Sequence, residues 1–141
     1  MTKGKYLGLD FGDRRVGVAI TDLNKEVVFP RGAIEYERPE ELMEALRELC
    51  AQESVTRVII GLPIQMDGTV GERVKKTYEF GGRFSTILPN VAVEYFDERL
   101  TTQFAENRLR QQGIKAKDQK ELKDSLAAQL ILQSYLVSRA E

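Results

Sequence analysis

Two short apolar runs limit what this chain can fold into. Tyr6-Leu7-Gly8-Leu9-Asp10-Phe11 and Arg57-Val58-Ile59-Ile60-Gly61-Leu62 are rich in aliphatic side chains and end in turn-forming residues. Such runs read as buried strands, and a strand apolar on both faces needs cover on both. Gly12-Asp13-Arg14 makes a tight turn, so Arg15 to Thr21 reads as the antiparallel partner of the first run. A weaker strand over Val27 to Ile34 is interrupted by Pro30, which predicts an edge position. Pro39-Glu40-Glu41 opens a helix that runs to about Glu53, with proline in the first turn and acids beside it.

Beyond the loop Pro63 to Thr69, a second helix is expected to place Val70, Val74, Tyr78 and Gly81 on one face. Val91 to Phe96 is a further strand. Thr101 or Thr102 can cap the helix after it, and Gly113 closes that helix. A polar link over residues 114–119 leads to a last helix, about Glu121 to Ser138, apolar nearly all round. The order β-β-β-α-β-α-β-α-α predicts an α/β fold: a five-stranded mixed sheet, second strand antiparallel, with helices on both faces. The 141 residues are read as a single domain.

Two shortages narrow the chemistry. The chain has no histidine, which removes His-based acid–base catalysis and His-ligated zinc. Its one cysteine, Cys50, falls on the apolar stripe Leu42, Met43, Leu46, Leu49 and reads as a core thiol. No apolar run approaches the roughly eighteen residues of a membrane span, and Asp10 breaks the first apolar segment, so no signal peptide is expected and the cytosol is the default. Charge is uneven although the net value is −1. Acids dominate residues 35–53, whereas Arg99, Arg108, Arg110, Lys115, Lys117, Lys120 and Lys123 make residues 99–123 basic. A basic end suits a phosphate-rich partner, and it is equally the pattern of a solvated helix surface.

Three carboxylates need explaining. Asp10 interrupts an apolar strand; it either caps the Gly12 turn or ligates a metal at the carboxyl end of a strand. Asp124 would share a helix face with Ala127, Ala128, Ile131, Leu132 and Tyr135, an unusual place for a solvated acid, although a first-turn dipole partner would also fit. At the last strand's end, alternation groups Asp97 with Val91, Val93 and Tyr95, and Glu98 with Ala92, Glu94 and Phe96; it does not choose between the two acids. Acids from two strand ends and a helix, with no His or Cys beside them, describe a hard-oxygen site for Mg²⁺ or Mn²⁺. Two such ions roughly 3.5–4 Å apart are the common arrangement for phosphodiester hydrolysis.

Gly8-Leu9-Asp10-Phe11-Gly12, Arg15-Val16-Gly17-Val18-Ala19, Gly61-Leu62-Pro63, Met66-Asp67-Gly68-Thr69, Asp97-Glu98-Arg99-Leu100-Thr101 and Lys123-Asp124-Ser125 together resemble the bacterial YqgF (RuvX) family, over residues 5 to 136. The resemblance implies an RNase H-like fold related to the Holliday junction resolvase RuvC. Members of the family are described as resolvases and as nucleases that mature the 5′ end of pre-16S ribosomal RNA. Carried over by motif, the catalytic, metal-binding acids are Asp10, Glu98 and Asp124, with Mg²⁺ or Mn²⁺ as cofactor. RuvC relatives carry an acid where this chain has Gly61-Leu62-Pro63. In an RNase H-like strand order that strand separates the other two, so Asp10 and Glu98 start about two strand spacings, roughly 9–10 Å, apart. The longer glutamate bridges such a gap better than Asp97.

Arg14, Arg15, Arg99, Lys115, Lys117, Lys120 and Lys123 are the candidate contacts to nucleic-acid phosphates. Asp67 either joins the metal shell or belongs to a plain Asp-Gly turn. The expected activity is metal-dependent endonucleolytic hydrolysis of structured nucleic acid, RNA (precursor rRNA) or branched DNA, by a monomer or homodimer with no membrane involvement. The competing reading is a nucleic-acid-binding factor with little cleavage, acting in transcription. An actin-like or sugar-kinase ATPase is discounted, because such folds need a second domain to close over nucleotide and 141 residues are not expected to supply one.

Overall fold

Alternation along the strands sorts the apolar side chains onto two sheet faces. In the computed structural model, which describes residues 4–112 and 119–139, β1 (Lys5–Asp10) lies between β2 (Arg15–Thr21) and β4 (Val55–Leu62). With β3 (Val28–Glu35) and β5 (Ala92–Asp97) at the edges, the order is β3-β2-β1-β4-β5. β2 is antiparallel to both of its neighbours, and β4 is parallel to β1 and β5. This is the mixed five-stranded sheet expected from the sequence. Pro30 does sit on an edge strand, next to a register shift between Gly17 and Ala19.

Leu7, Leu9, Val16, Val18, Ile20, Val58 and Ile60 point to one face. There they meet Leu42, Met43, Leu46 and Cys50 of α1 (Pro39–Glu53), and Phe80 and Phe84 of α2 (Glu72–Ile87). Burying each such aliphatic side chain contributes roughly 1.5–3 kcal/mol. Cys50 is part of this core, and burial pushes its thiol up to about 11, as befits an unreactive side chain. Ala19, Ile59 and Phe96 point to the opposite face, against Ala128, Ile131, Leu132 and Tyr135 of α5 (Leu126–Arg139); Leu109 of α3 (Gln103–Gln111) packs on the same cluster. Thr102 caps α3, its hydroxyl oxygen accepting from the Ala105 N–H at 3.1 Å.

Three details differ from the sequence expectation. Val70 lies before α2 and is exposed, as is Tyr78; the buried face of α2 is Val74, Thr77, Phe80, Gly81 and Phe84. The last helix is two, α4 (Gln119–Asp124) and α5, divided at Ser125. Ser125 is fully buried, and its hydroxyl accepts from the Gln129 side-chain amide at 2.9 Å. Of the stripe below Asp124, Ala128, Ile131, Leu132 and Tyr135 are buried as expected, but Ala127 faces solvent. Gly113, Lys115 and Lys117 lie outside the described residues, and Lys120 is described by its backbone alone. No helix of the structure is long and apolar enough to cross a membrane among the described residues.

Candidate active site

Strand period decides where the carboxylates go once it is known which face α5 covers. Gly8, Gly61 and Phe96 look toward α5, and Asp10, two residues after Gly8, shares that face. So does Glu98, two residues after Phe96, where the chain leaves β5 through a short 3₁₀ turn, Glu98–Leu100. Asp124 arrives from above, at the junction of α4 and α5. The three acids therefore converge on one edge of one face, the carboxyl end of β1, β4 and β5.

Two glycines clear the space between them. Asp10 pairs directly with Gly17 of β2. A Cβ at Gly17 would stand 3.0 Å from the Asp124 carbonyl oxygen and 3.6 Å from the Asp10 Cβ. On the other side, one step beyond the Leu9–Ile60 pair, lies Gly61 of β4. A Cβ there would strike Ile131 and stand 3.0 Å from Glu98 Oε2. The Glu98 carboxylate thus reaches over the intervening strand toward Asp10, as the sequence led us to expect, and it can do so because Gly61 has no side chain.

Electrostatics bears out the crowding. Burial raises the Asp10 carboxyl above the usual aspartate range, with the Arg73 guanidinium pulling the other way. Glu98 is raised first by burial and then by the Asp10 carboxylate, again opposed by Arg73, with Asp97 adding to the rise. Asp124 differs from the other two. Its carboxylate accepts an ion pair from Arg15 at 2.8 Å. Among the described residues no three acids or cysteines are gathered tightly enough to form a ready cation cage. The Glu98 carboxylate thus lies toward Asp10, whereas the Asp124 carboxylate is paired with Arg15.

The remaining acids are otherwise engaged. Asp97 caps the 3₁₀ turn, accepting from the Arg99 N–H at 2.9 Å and pairing with its guanidinium at 2.7 Å; these bonds hold its carboxyl below the usual range. Asp67 accepts from the Thr69 N–H at 2.9 Å and from its hydroxyl at 2.7 Å, which lower it likewise. Both serve turns. Of the expected phosphate contacts, Arg15 and Arg99 are paired with Asp124 and Asp97, while Arg14 and Lys123 are exposed. Sequence reasoning missed Arg73, whose charge bears on both Asp10 and Glu98. Only its place in the first turn of α2, directly after the loop leaving β4, could have drawn attention to it.

A family model described as RuvX: Holliday junction resolvase matches residues 4–138. The chain belongs to the RuvX family. A protein of Chloroflexus aggregans named "Putative pre-16S rRNA nuclease" is 40% identical over 139 residues, 99% of this chain and 97% of the relative. One of the same name from Agathobacter rectalis is 39% identical, covering 94% of each. Among solved structures, Thermus thermophilus RuvC in complex with a Holliday junction substrate superposes with a TM-score of 0.67 at 12% identity, covering 97% of this chain and 95% of RuvC. Fowlpox virus resolvase bound to Holliday junction DNA gives 0.59 at 14% identity, covering 97% of this chain and 99% of the other. The fold of this RuvX chain is RNase H-like, as expected from its motifs.

Proposed function

We infer that this chain is a single-domain nuclease that hydrolyses phosphodiester bonds in structured nucleic acid, with Asp10, Glu98 and Asp124 as its catalytic acids. The observation that carries the site is the reach of the Glu98 carboxylate over Gly61 toward Asp10, with burial raising both carboxyls. Packing two like charges together costs stability, and a fold keeps such an arrangement where a cation or substrate resolves it.

The donor set suits Mg²⁺ or Mn²⁺, being all carboxylate oxygen and without histidine. Asp10 and Glu98 would hold the ion, and Asp124 would join them by exchanging its Arg15 contact. A divalent ion bound there supplies a Lewis acid that activates water and stabilises charge on the leaving oxygen. The protein's own contribution is placement. The sheet fixes Asp10, the 3₁₀ turn delivers Glu98, and Arg15 is left free to meet a phosphate when Asp124 turns away. Arg14, Arg99 and Lys123 extend the basic border along which a nucleic-acid backbone can lie, and Lys115, Lys117 and Lys120 are further phosphate contacts proposed from the sequence alone.

The relatives' names favour precursor 16S rRNA as substrate; to this we add, from the family resemblance, processing of its 5′ end in ribosome biogenesis in the cytoplasm. The family's description favours the second reading, resolution of four-way DNA junctions, which would need two active sites and so a homodimer. Purified protein with Mg²⁺ or Mn²⁺ should be given precursor rRNA and a four-way DNA junction, beside the variant Asp10→Asn. We expect cleavage of the rRNA by the wild type and none by a folded Asp10→Asn protein. Preferential cleavage of the junction by a dimer would transfer the assignment to the resolvase reading. Wild-type cleavage retained by Asp10→Asn would remove the metal-site assignment, and binding without cleavage by the wild type would leave a nucleic-acid-binding factor.

A further inference from the structure

A nucleic-acid phosphate brings its own negative charge beside Asp10 and Glu98, so a cationic side chain on the substrate's side of the site would strengthen its hold beyond what an ion on the two acids supplies. The basic side chains around Asp10 and Glu98 differ in how free they are. Arg15 is paired with Asp124 at 2.8 Å, Arg99 with Asp97 at 2.7 Å, and Lys76 with Asp13 at 3.5 Å. Arg73 is exposed, and among the described residues no carboxylate pairs with it. Among the described residues its guanidinium makes one hydrogen bond, from Nη2 to the Phe11 carbonyl at 3.5 Å, at the long limit of such contacts, which leaves most of its donors available there. Phe11 follows Asp10 directly, which places the guanidinium at the lip of the site. Beside it is a cavity of about 270 Å³ lined by Phe11, Gly12, Asp13, Arg73 and Lys76. The same guanidinium opposes the rise of both Asp10 and Glu98, so it stands within electrostatic reach of the two together.

We propose that Arg73 is a catalytic residue of this nuclease, its guanidinium gripping the non-bridging oxygens of the phosphate being cut, with Lys76 beside it along the backbone path. The inference rests on the nuclease reading of Asp10 and Glu98. A planar fork of N–H donors matches two phosphate oxygens, whereas a lysine supplies charge without the fork. Charge grows on those oxygens as water attacks, so the contact strengthens toward the transition state.

The test uses Arg73→Gln and Arg73→Lys in two arms. The first is single-turnover cleavage of precursor rRNA with Mg²⁺ at saturating protein. The second is the salt dependence of binding the same RNA in EDTA, each substitution placed in an Asp10→Asn background so that nothing is cut. Arg73→Gln should slow cleavage by about 100-fold or more, the usual cost of losing one charge-stabilising donor. Arg73→Lys should restore only part of that rate. The salt slope should fall by about one for Arg73→Gln and stay near the Asp10→Asn value for Arg73→Lys. An unchanged salt slope for Arg73→Gln overturns the phosphate contact. A lowered slope with wild-type cleavage of bound RNA overturns its assignment to the phosphate being cut. Equal rates for the Lys and Gln variants, with melting temperatures that have both dropped, would make Arg73 structural and overturn it too. If the wild type itself binds but does not cut, the nuclease reading fails and with it the catalytic role. The salt arm then still decides whether Arg73 holds a phosphate.

Discussion

Glu94, within the edge strand β5, and Glu98, just past its end, stand four residues apart, both partly buried and both on the α5 side, yet they are treated in opposite ways. Burial alone would raise the Glu94 carboxyl, but the Tyr135 hydroxyl donates to it and Arg57 and Arg139 pair with it, and together they hold it below the usual range. At Glu98 burial is joined by the Asp10 carboxylate, and only Arg73 opposes them, so the carboxyl rises. The fold completes a polar network around one acid and leaves the other wanting a cation. On the proposed function the second acid is the working group and the first is structural.

Exchanging the two acids for amides should separate these roles most sharply. Glu98→Gln should lower cleavage by at least ~100-fold, since even loss of a group behind a metal ligand typically costs 10–100-fold. Its thermal stability without metal should match or exceed the wild type, because the repulsion with Asp10 is relieved. Glu94→Gln should do the reverse: cleavage close to wild type, with stability falling by ~1–3 kcal/mol as Arg57 and Tyr135 lose a charged acceptor. Cleavage assays beside urea unfolding decide this, and the comparison breaks if both variants behave alike.

A smaller effect is expected from the metal. Mg²⁺ at about ten times its dissociation constant should stabilise the folded protein by ~1.4 kcal/mol through mass action, a rise of a few degrees in melting temperature. The triple variant Asp10→Asn, Glu98→Gln, Asp124→Asn should show no rise, while Glu94→Gln should show the full one. Equal responses in wild type and triple variant would mean that the three acids do not share a site.

The smallest effect is in the pH dependence of the metal-free protein. With Asp10 and Glu98 raised, the folded chain still holds protons that the unfolded chain has released just above the ordinary carboxylate range. These two groups therefore lower stability as pH climbs through that window and leave it unharmed below. Glu94 and Asp97, being lowered, contribute stability above the ordinary range that is lost on acidification. Subtracting the stability profile of Asp10→Asn, Glu98→Gln from that of the wild type isolates the first contribution. The difference should fall with rising pH, and a flat difference would deny the two acids their raised state.

The amino-acid sequence by itself determined the succession of strands and helices, the edge place of β3 and the extent of α1, because apolar period, turn residues and Pro30 act over neighbours in the chain; the place of β4 between β1 and β5 came only with the family resemblance. It also placed an acid at each of two strand ends and one on the last helix, since a charge inside an apolar run is conspicuous wherever the run folds. The family motif chose Glu98 over Asp97, whereas strand period alone left the two open. Alternation assigns the two acids to opposite faces, but only the packing of α5 on the Gly61 side says which face holds Asp10 and Asp124. The break at Ser125, the turning of Asp124 to Arg15, and the approach of Arg73 to the site were likewise undecided in the sequence. Each depends on contacts between residues far apart along the chain, made only when α2 and α5 close on the two faces of the sheet, and local periodicity carries no record of them.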